Sequence, residues 1–250
     1  MEQISIENIR FIHIGKTGGT YILQNFPNLN QFHHIKPNLN DENSNMKYII
    51  WIRNPISRFI SAFWFSYNLI NTDYSHLKGN LNLDNCLAPV RISNKKGKIV
   101  FSKAYDELIN YFKNPNYLAE SLSSPNPEIK TKALKLFNHH TEHINKGIGW
   151  YLHNGEFIEA NHNKILMVGS MENMNNDVTK LSQILDMPIQ TTKPIRKNED
   201  YDKWISQLAY NNIVEFYKDT DYKTLNIMHK YGFIDTNLLN EYKTYEYIKK

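Results

Sequence analysis

Cysteine is almost missing from this chain: Cys86 is the only one in 250 residues. That excludes an intramolecular disulfide and any zinc site or redox pair built on cysteine, so a metal would have to be held by His, Asp and Glu alone. Long apolar runs are missing as well. The longest strongly apolar stretch without a charge, residues 59–70, is broken by serines and Asn68 and falls short of the ~20 residues that cross a bilayer, so no membrane span is expected. The first residues, Met1-Glu2-Gln3-Ile4-Ser5, carry neither a basic segment nor a small-residue cleavage site, and a soluble, cytoplasmic protein is the expectation. Glycine and proline are sparse, at 10 and 9, while 41% of residues are hydrophobic and 22% charged, which excludes collagen-like, low-complexity and disordered chains. The net charge of 29 − 25 = +4 suits an anionic ligand but is too small to imply nucleic-acid binding. The densest basic run, Arg91, Lys95, Lys96, Lys98 and Lys103, reads as a solvated loop or as a surface that meets an acidic substrate.

What is present reads as strands alternating with helices. Residues 8–14 alternate and are β-branched, then run into Gly15-Lys16-Thr17-Gly18-Gly19-Thr20 and a short helix that Pro27 closes. A second strand is expected at 31–35. Residues 47–52 are continuously apolar, as in a strand buried on both faces of a parallel sheet. Asn54 then serves as a helix cap and Pro55 as its first residue, with Ile56, Phe59, Ile60, Phe63, Trp64 and Tyr67 at helical spacing. The middle of the chain predicts helices at 102–111, 117–121 and 128–137. A strand at 164–168 is expected to turn at Gly169 into a helix carrying Met174, Val178, Leu181 and Leu185. Helices near 201–217 and 221–230 follow, the second stopped by Gly232. The pattern predicts a single α/β domain over 1–250: a P-loop-like three-layer fold with a central, mainly parallel sheet flanked by helices.

Two places carry chemistry. In Gly15 to Thr20 a strand ends in a glycine-rich turn that opens a helix, so backbone N–H groups and the helix dipole converge on an anion site. Lys16 adds a cation there, and Thr17 and Thr20 add hydroxyls, which suits a phosphate or sulfate ester. A Walker loop would place its lysine after the glycines, whereas Lys16 precedes Gly18 and Gly19. The next buried strand ends in Arg53 rather than in a magnesium-holding Asp, so a kinase or nucleotide hydrolase is disfavoured. Arg53 stands where open α/β sheets bind ligands, and Ser61 lies two turns along the next helix; a guanidinium and a hydroxyl can grip one phosphate. Arg58, turned away from Arg53 by the helix, reads as structural.

These residues resemble the sulfotransferases that use 3′-phosphoadenosine 5′-phosphosulfate, and within them the carbohydrate branch typified by heparan sulfate 2-O-sulfotransferase. His13-Ile14-Gly15-Lys16-Thr17-Gly18-Gly19-Thr20 looks like that branch's 5′-phosphosulfate loop, H-I-P-K-T-G-G-T, with Gly15 in the proline position. Ile52-Arg53-Asn54-Pro55-Ile56-Ser57-Arg58-Phe59-Ile60-Ser61 looks like its 3′-phosphate motif, I-R-D-P-x-x-R-x-x-S, with Asn54 replacing the Asp as an equivalent cap. Weaker similarity continues through Val168-Gly169-Ser170-Met171-Glu172 and Arg196-Lys197-Asn198. By that resemblance Arg196 and Lys197 close over the nucleotide as the family's late basic loop does.

Sulfuryl transfer needs a cation at the leaving group and a base at the acceptor. Lys16 is the expected cation. Residues 20–40 contain no Asp or Glu, which argues against the branches with a catalytic glutamate just after the loop. They do contain His33 and His34. The resemblance implies a histidine base between the two motifs; the family pattern is His-Gly-His while these two are adjacent, and the apolar residue after His34 favours it over His33. His139, His140 and His143 lack the order of a metal site and could instead line the acceptor cleft. Trp150 and Tyr151 are core residues or a sugar platform. The expected activity is transfer of a sulfuryl group to a hydroxyl acceptor, which the resemblance implies is a glycan, without a metal; a non-catalytic nucleotide- or glycan-binding module and, further off, a P-loop kinase are the rivals.

Overall fold

A computed structural model describes residues 5–33, 35–39, 45–68, 103–138, 143–190 and 201–249, with the backbone alone at His33, 103–106 and Lys249. In chain order the elements are β1 (Ile9–His13), α1 (Gly19–Asn25), β2 (Asn30–His33), β3 (Lys47–Ile52), α2 (Pro55–Asn68), α3 (Lys103–Phe112), α4 (Pro115–Glu120), α5 (Pro127–Asn138), α6 (Ile148–Tyr151), α7 (Glu156–Asn161), β4 (Ile165–Ser170), α8 (Met174–Leu185), β5 (Ile205–Ser206), α9 (Gln207–Tyr217), α10 (Lys223–Lys230), α11 (Thr236–Tyr242) and β6 (Ile248–Lys249). A π-helical turn, Lys218–Tyr222, joins α9 to α10. The chain divides into two compact units, the first made of Met1–Arg58, Gly147–Tyr201 and Tyr217–Thr244, the second of Phe59–Lys146, Asp202–Phe216 and Tyr245–Lys250.

The first unit is built on a parallel four-stranded sheet in the order β2-β1-β3-β4. Alternation along the strands sends Ile9 and Phe11 of β1, Ile49 and Trp51 of β3 and Met167 of β4 to one face. There they pack with Ile22 and Phe26 from α1 and with Val178 and Leu181 from α8. On the other face the Tyr48 ring meets Phe157 of α7 edge to face at 4.9 Å. Helix, sheet and helix give the three-layer α/β arrangement. After Lys47, β3 is apolar and buried because both of its faces are covered.

The order β2-β1-β3 makes the chain leave β1 to one side and return on the other. The crevice beyond the carboxyl ends of β1 and β3 is therefore the switch point at which such sheets bind ligands.

Several expected boundaries move, among them the strand expected at 31–35, which is Asn30–His33 with Ile35 outside it. β4 does not end before Gly169 but continues through Ser170, in register with Trp51 and Ile52 of β3. Gly169 is there for close approach: a Cβ on it would lie 2.4 Å from the Trp51 ring. The helix expected from 201 starts at Gln207, because Ile205–Ser206 is extended and pairs with Ile248–Lys249. The Ser206 hydroxyl accepts the N–H of Ala209 at 3.1 Å, which caps α9. In the second unit, Phe59 stacks on Phe137 at 5.2 Å and Phe137 meets Phe216 at 4.6 Å, so the apolar stripes of α2, α5 and α9 share one aromatic core.

Candidate functional site

The glycine-rich segment forms a tight loop between β1 and α1. The Ile14 N–H bonds back to the Ile12 carbonyl at 3.1 Å, and the buried Thr17 hydroxyl donates to the Ile14 carbonyl at 2.8 Å. Lys16 and Gly18 both take left-handed backbone conformations, with φ of 69° and 88°. Glycine meets that demand without strain at position 18; at Lys16 the loop accepts a side chain where glycine would be easier. The helix starts at Gly19 with no side-chain cap; the Tyr21 N–H is taken by the Gly18 carbonyl at 2.9 Å, and the positive end of the helix dipole lies at the loop. A Cβ on Gly19 would lie 2.2 Å from the His13 ring. That ring stacks on Phe11 at 5.6 Å, and its Nδ1 is 3.0 Å from Gln31 Oε1. An amide oxygen only accepts, so Nδ1 carries the proton. His33 pairs in register with His13 across β1 and β2.

The second motif lies at the end of the neighbouring strand. Arg53 follows β3 directly and donates from Nη1 to the Lys16 carbonyl at 3.4 Å, so the cation of the second motif reaches the backbone of the first. Asn54 caps α2 as expected, its Oδ1 accepting from the N–H groups of Ile56 at 2.9 Å and Ser57 at 3.2 Å. Its amide nitrogen also donates to the carbonyls of Glu241 and Thr244, at 3.3 and 3.1 Å. Glu172, just past β4, accepts the Asn54 N–H at 3.0 Å and the Tyr242 hydroxyl at 2.5 Å. Burial, and then the Glu172 carboxylate, push the Tyr242 phenol well above its ordinary range, so it stays protonated and donates.

Arg58 is fully buried, as its structural reading requires. It lies 3.7 Å from Asp221, donates to the Tyr217 hydroxyl at 3.2 Å and faces the Tyr217 ring. Asp221 in turn accepts the Gly149 N–H at 2.9 Å. Burial pushes the Tyr217 phenol far up, against the opposing pull of Arg58. Gly147 and Gly149 make room for this arrangement, since a Cβ on either would lie within 2.5 Å of Asp221 or of the Thr220 backbone.

Gly15, Lys16, Thr17, Gly18, Gly19, Thr20 and Arg53 thus come together at the carboxyl ends of β1 and β3. Ser61 sits on α2 in the second unit, 2% exposed, and its association with Arg53 rests on the motif. His34, Arg196, Lys197, His139 and His140 lie outside the described residues, as does the basic run up to position 102. His143 is buried in the second unit against the Phe65 ring at 5.1 Å. Trp150 carries the Lys36 ammonium 4.8 Å from its ring centre, while Tyr151 is core.

Sequence reasoning missed the residues that tie down the segment after His34. His153 Nε2 lies 2.8 Å from the Pro37 carbonyl, and the Asn161 amide donates to the Leu39 carbonyl at 2.9 Å. Glu172 as the partner of Asn54, and Tyr242 as the partner of Glu172, were missed for the same reason: the contacts span 118 and 70 residues, and no local spacing encodes them. Among the described residues no group of three or more His, Cys, Asp or Glu gathers as a metal site, and no helix is long and apolar enough to cross a membrane.

No curated protein and no solved structure shows a significant match to this chain. A family model does match, that of the sulfotransferase family, over residues 7–243, which takes in the loop, the Arg53 motif, β4 and α11. With a parallel sheet that brings the glycine loop and Arg53 together at its switch point, and a match over nearly its whole length, the chain belongs to the sulfotransferase family.

Proposed function

We propose that the protein moves a sulfuryl group from 3′-phosphoadenosine 5′-phosphosulfate to a hydroxyl of a carbohydrate acceptor. One observation supports this reading above the others: Arg53 reaches the Lys16 carbonyl at 3.4 Å, so two cation-bearing motifs with different expected ligands converge at one end of the sheet. A donor with a phosphosulfate at one end of its ribose and a phosphate at the other calls for two such anion sites side by side. The match over 7–243 runs through both compact units and supports reading residues 1–250 as one sulfotransferase-like domain.

In this reading the acceptor oxygen forms its bond to sulfur as the bond from sulfur to the 5′-phosphate oxygen breaks. Negative charge grows on the leaving oxygen, where Lys16 and the N–H groups at the head of α1 stabilise it. Thr17 holds the loop through its bond to Ile14, and Arg53 grips the 3′-phosphate with a charge-assisted pair. A histidine takes the acceptor proton; His34 is the first choice by resemblance and His33 the second. Ser61, Arg196 and Lys197 are assigned to the donor by their motifs. The acceptor is assigned to the carbohydrates on the likeness of the two motifs to that branch.

The test is a transfer assay with donor labelled in its sulfuryl group and a panel of hydroxyl-bearing polysaccharides. Label entering a polysaccharide with equal release of 3′-phosphoadenosine 5′-phosphate is the expected result. Magnesium-dependent consumption of ATP, with no label transferred, would sink the proposal.

A further inference from the structure

Asn54 does two jobs that no single other side chain could do in its place. Its carbonyl oxygen accepts the N–H groups of Ile56 and Ser57 at the head of α2, so its nitrogen must be the end that faces the carbonyls of Glu241 and Thr244. Its backbone N–H goes to Glu172, whose other oxygen takes the Tyr242 hydroxyl. The end of α11 and the two residues after it are thereby tied to the start of α2 at three points, two direct bonds and one bridge through Glu172, all around one residue that is 6% exposed. The residue immediately before it is Arg53, which in turn touches the loop at Lys16.

We infer that Asn54 is a positioning residue: it clasps the 241–244 segment onto the head of α2 and so fixes the backbone from which Arg53 reaches the donor loop. The clasp itself stands on geometry alone; its effect on the donor rests on the reading of Arg53 as the 3′-phosphate ligand. The amide is the only group that fits. Serine or aspartate at this position would still cap α2, but neither can donate two hydrogen bonds to the two carbonyls while its oxygen accepts from the helix. Aspartate would also set a carboxylate against two carbonyl oxygens and beside the Glu172 carboxylate, so the closest isostere should be the worst of the capping replacements.

Asn54→Ser, Asn54→Asp and Asn54→Ala separate the two jobs. Two readouts are needed: hydrogen exchange at the N–H groups of Lys243 and Thr244, which bond to Leu239 and Glu241 within the strap, and the affinity for 3′-phosphoadenosine 5′-phosphate. Ser and Asp should each speed exchange at Lys243 and Thr244 on the order of tenfold and weaken nucleotide binding by a similar factor, Asp more than Ser. Donor KM should rise with them while kcat at saturation holds, because the reacting groups are untouched. Ala should add a fall in the melting midpoint through loss of the cap. Wild-type exchange and affinity in Asn54→Ser and Asn54→Asp would reduce Asn54 to a cap and overturn the inference. Faster exchange with unchanged affinity would overturn its link to Arg53. A wild-type protein that ignores the nucleotide while exchange still responds to the variants would leave the clasp standing and remove the proposed function instead.

Discussion

Lys16 occupies a left-handed backbone position that costs a non-glycine residue of order 1 kcal/mol, and it is the residue proposed to stabilise the leaving oxygen. Lys16→Ala should therefore slow single-turnover transfer by about 10²–10³ with the fold unchanged by circular dichroism. Transfer at the wild-type rate would remove Lys16 from the mechanism. Arg53→Ala should weaken binding of 3′-phosphoadenosine 5′-phosphate by ~2 kcal/mol, roughly thirtyfold, and leave binding of an analogue without the 3′-phosphate nearly unaffected. Equal losses for the two ligands would show that Arg53 does not read that phosphate. His34→Ala should cost about 10²–10⁴ in rate with nucleotide affinity intact, and the acidic limb of the pH profile should go with it; if His33→Ala carries that defect instead, the base is His33. At this scale the sequence is legible wherever function sits on local punctuation. Lys16 stands inside a glycine turn, and Arg53 between an apolar run and Asn-Pro. Asn54 is legible as a cap from its neighbours, but its bonds to Glu241 and Thr244 cross some 190 residues and have no local signature.

Elements with a strong period came through with small boundary shifts. β3 at Lys47–Ile52 and the start of α2 at Pro55 follow the sequence reading, because a continuous apolar run and an Asn-Pro cap admit few other conformations. The short helices α6, α7 and α11 span four to seven residues, too few for a period to show. The sequence pattern ends β4 before Gly169 because glycine marks both turns and close approach, and only the Trp51 ring on the neighbouring strand distinguishes them. Gly169→Ala should accordingly lower the unfolding free energy by about 1–3 kcal/mol through overpacking against that ring. An unchanged midpoint would mean that Trp51 has room to give. Arg58→Ala should be more severe, about 3–5 kcal/mol, because it leaves the buried Asp221 carboxylate without its cation; an exposed salt bridge would lose far less.

Across the molecule, the family match and the parallel sheet place the chain in the sulfotransferase family, while the donor and acceptor follow from the chemistry proposed for its two motifs. Stability as a whole should respond to alkali in a defined direction. Tyr217 and Tyr242 are buried and their phenols are raised above the ordinary value, so the unfolded chain ionises near pH ~10 while the folded chain does not. Their contribution is complete below that pH and is lost as pH rises toward the folded values. Tyr242→Phe should flatten part of this alkaline loss, read as the melting midpoint between neutral pH and about pH 11. The central claim, that the loop and Arg53 form a donor site for a nucleotide bearing a 3′-phosphate, is tested most directly by calorimetric titration with 3′-phosphoadenosine 5′-phosphate and with ATP, each without magnesium. The account predicts saturable binding of the first at least about tenfold tighter than of ATP, from the added charge-assisted pair at the 3′-phosphate. Equal affinities, or binding only of ATP and only when magnesium is added, would contradict it.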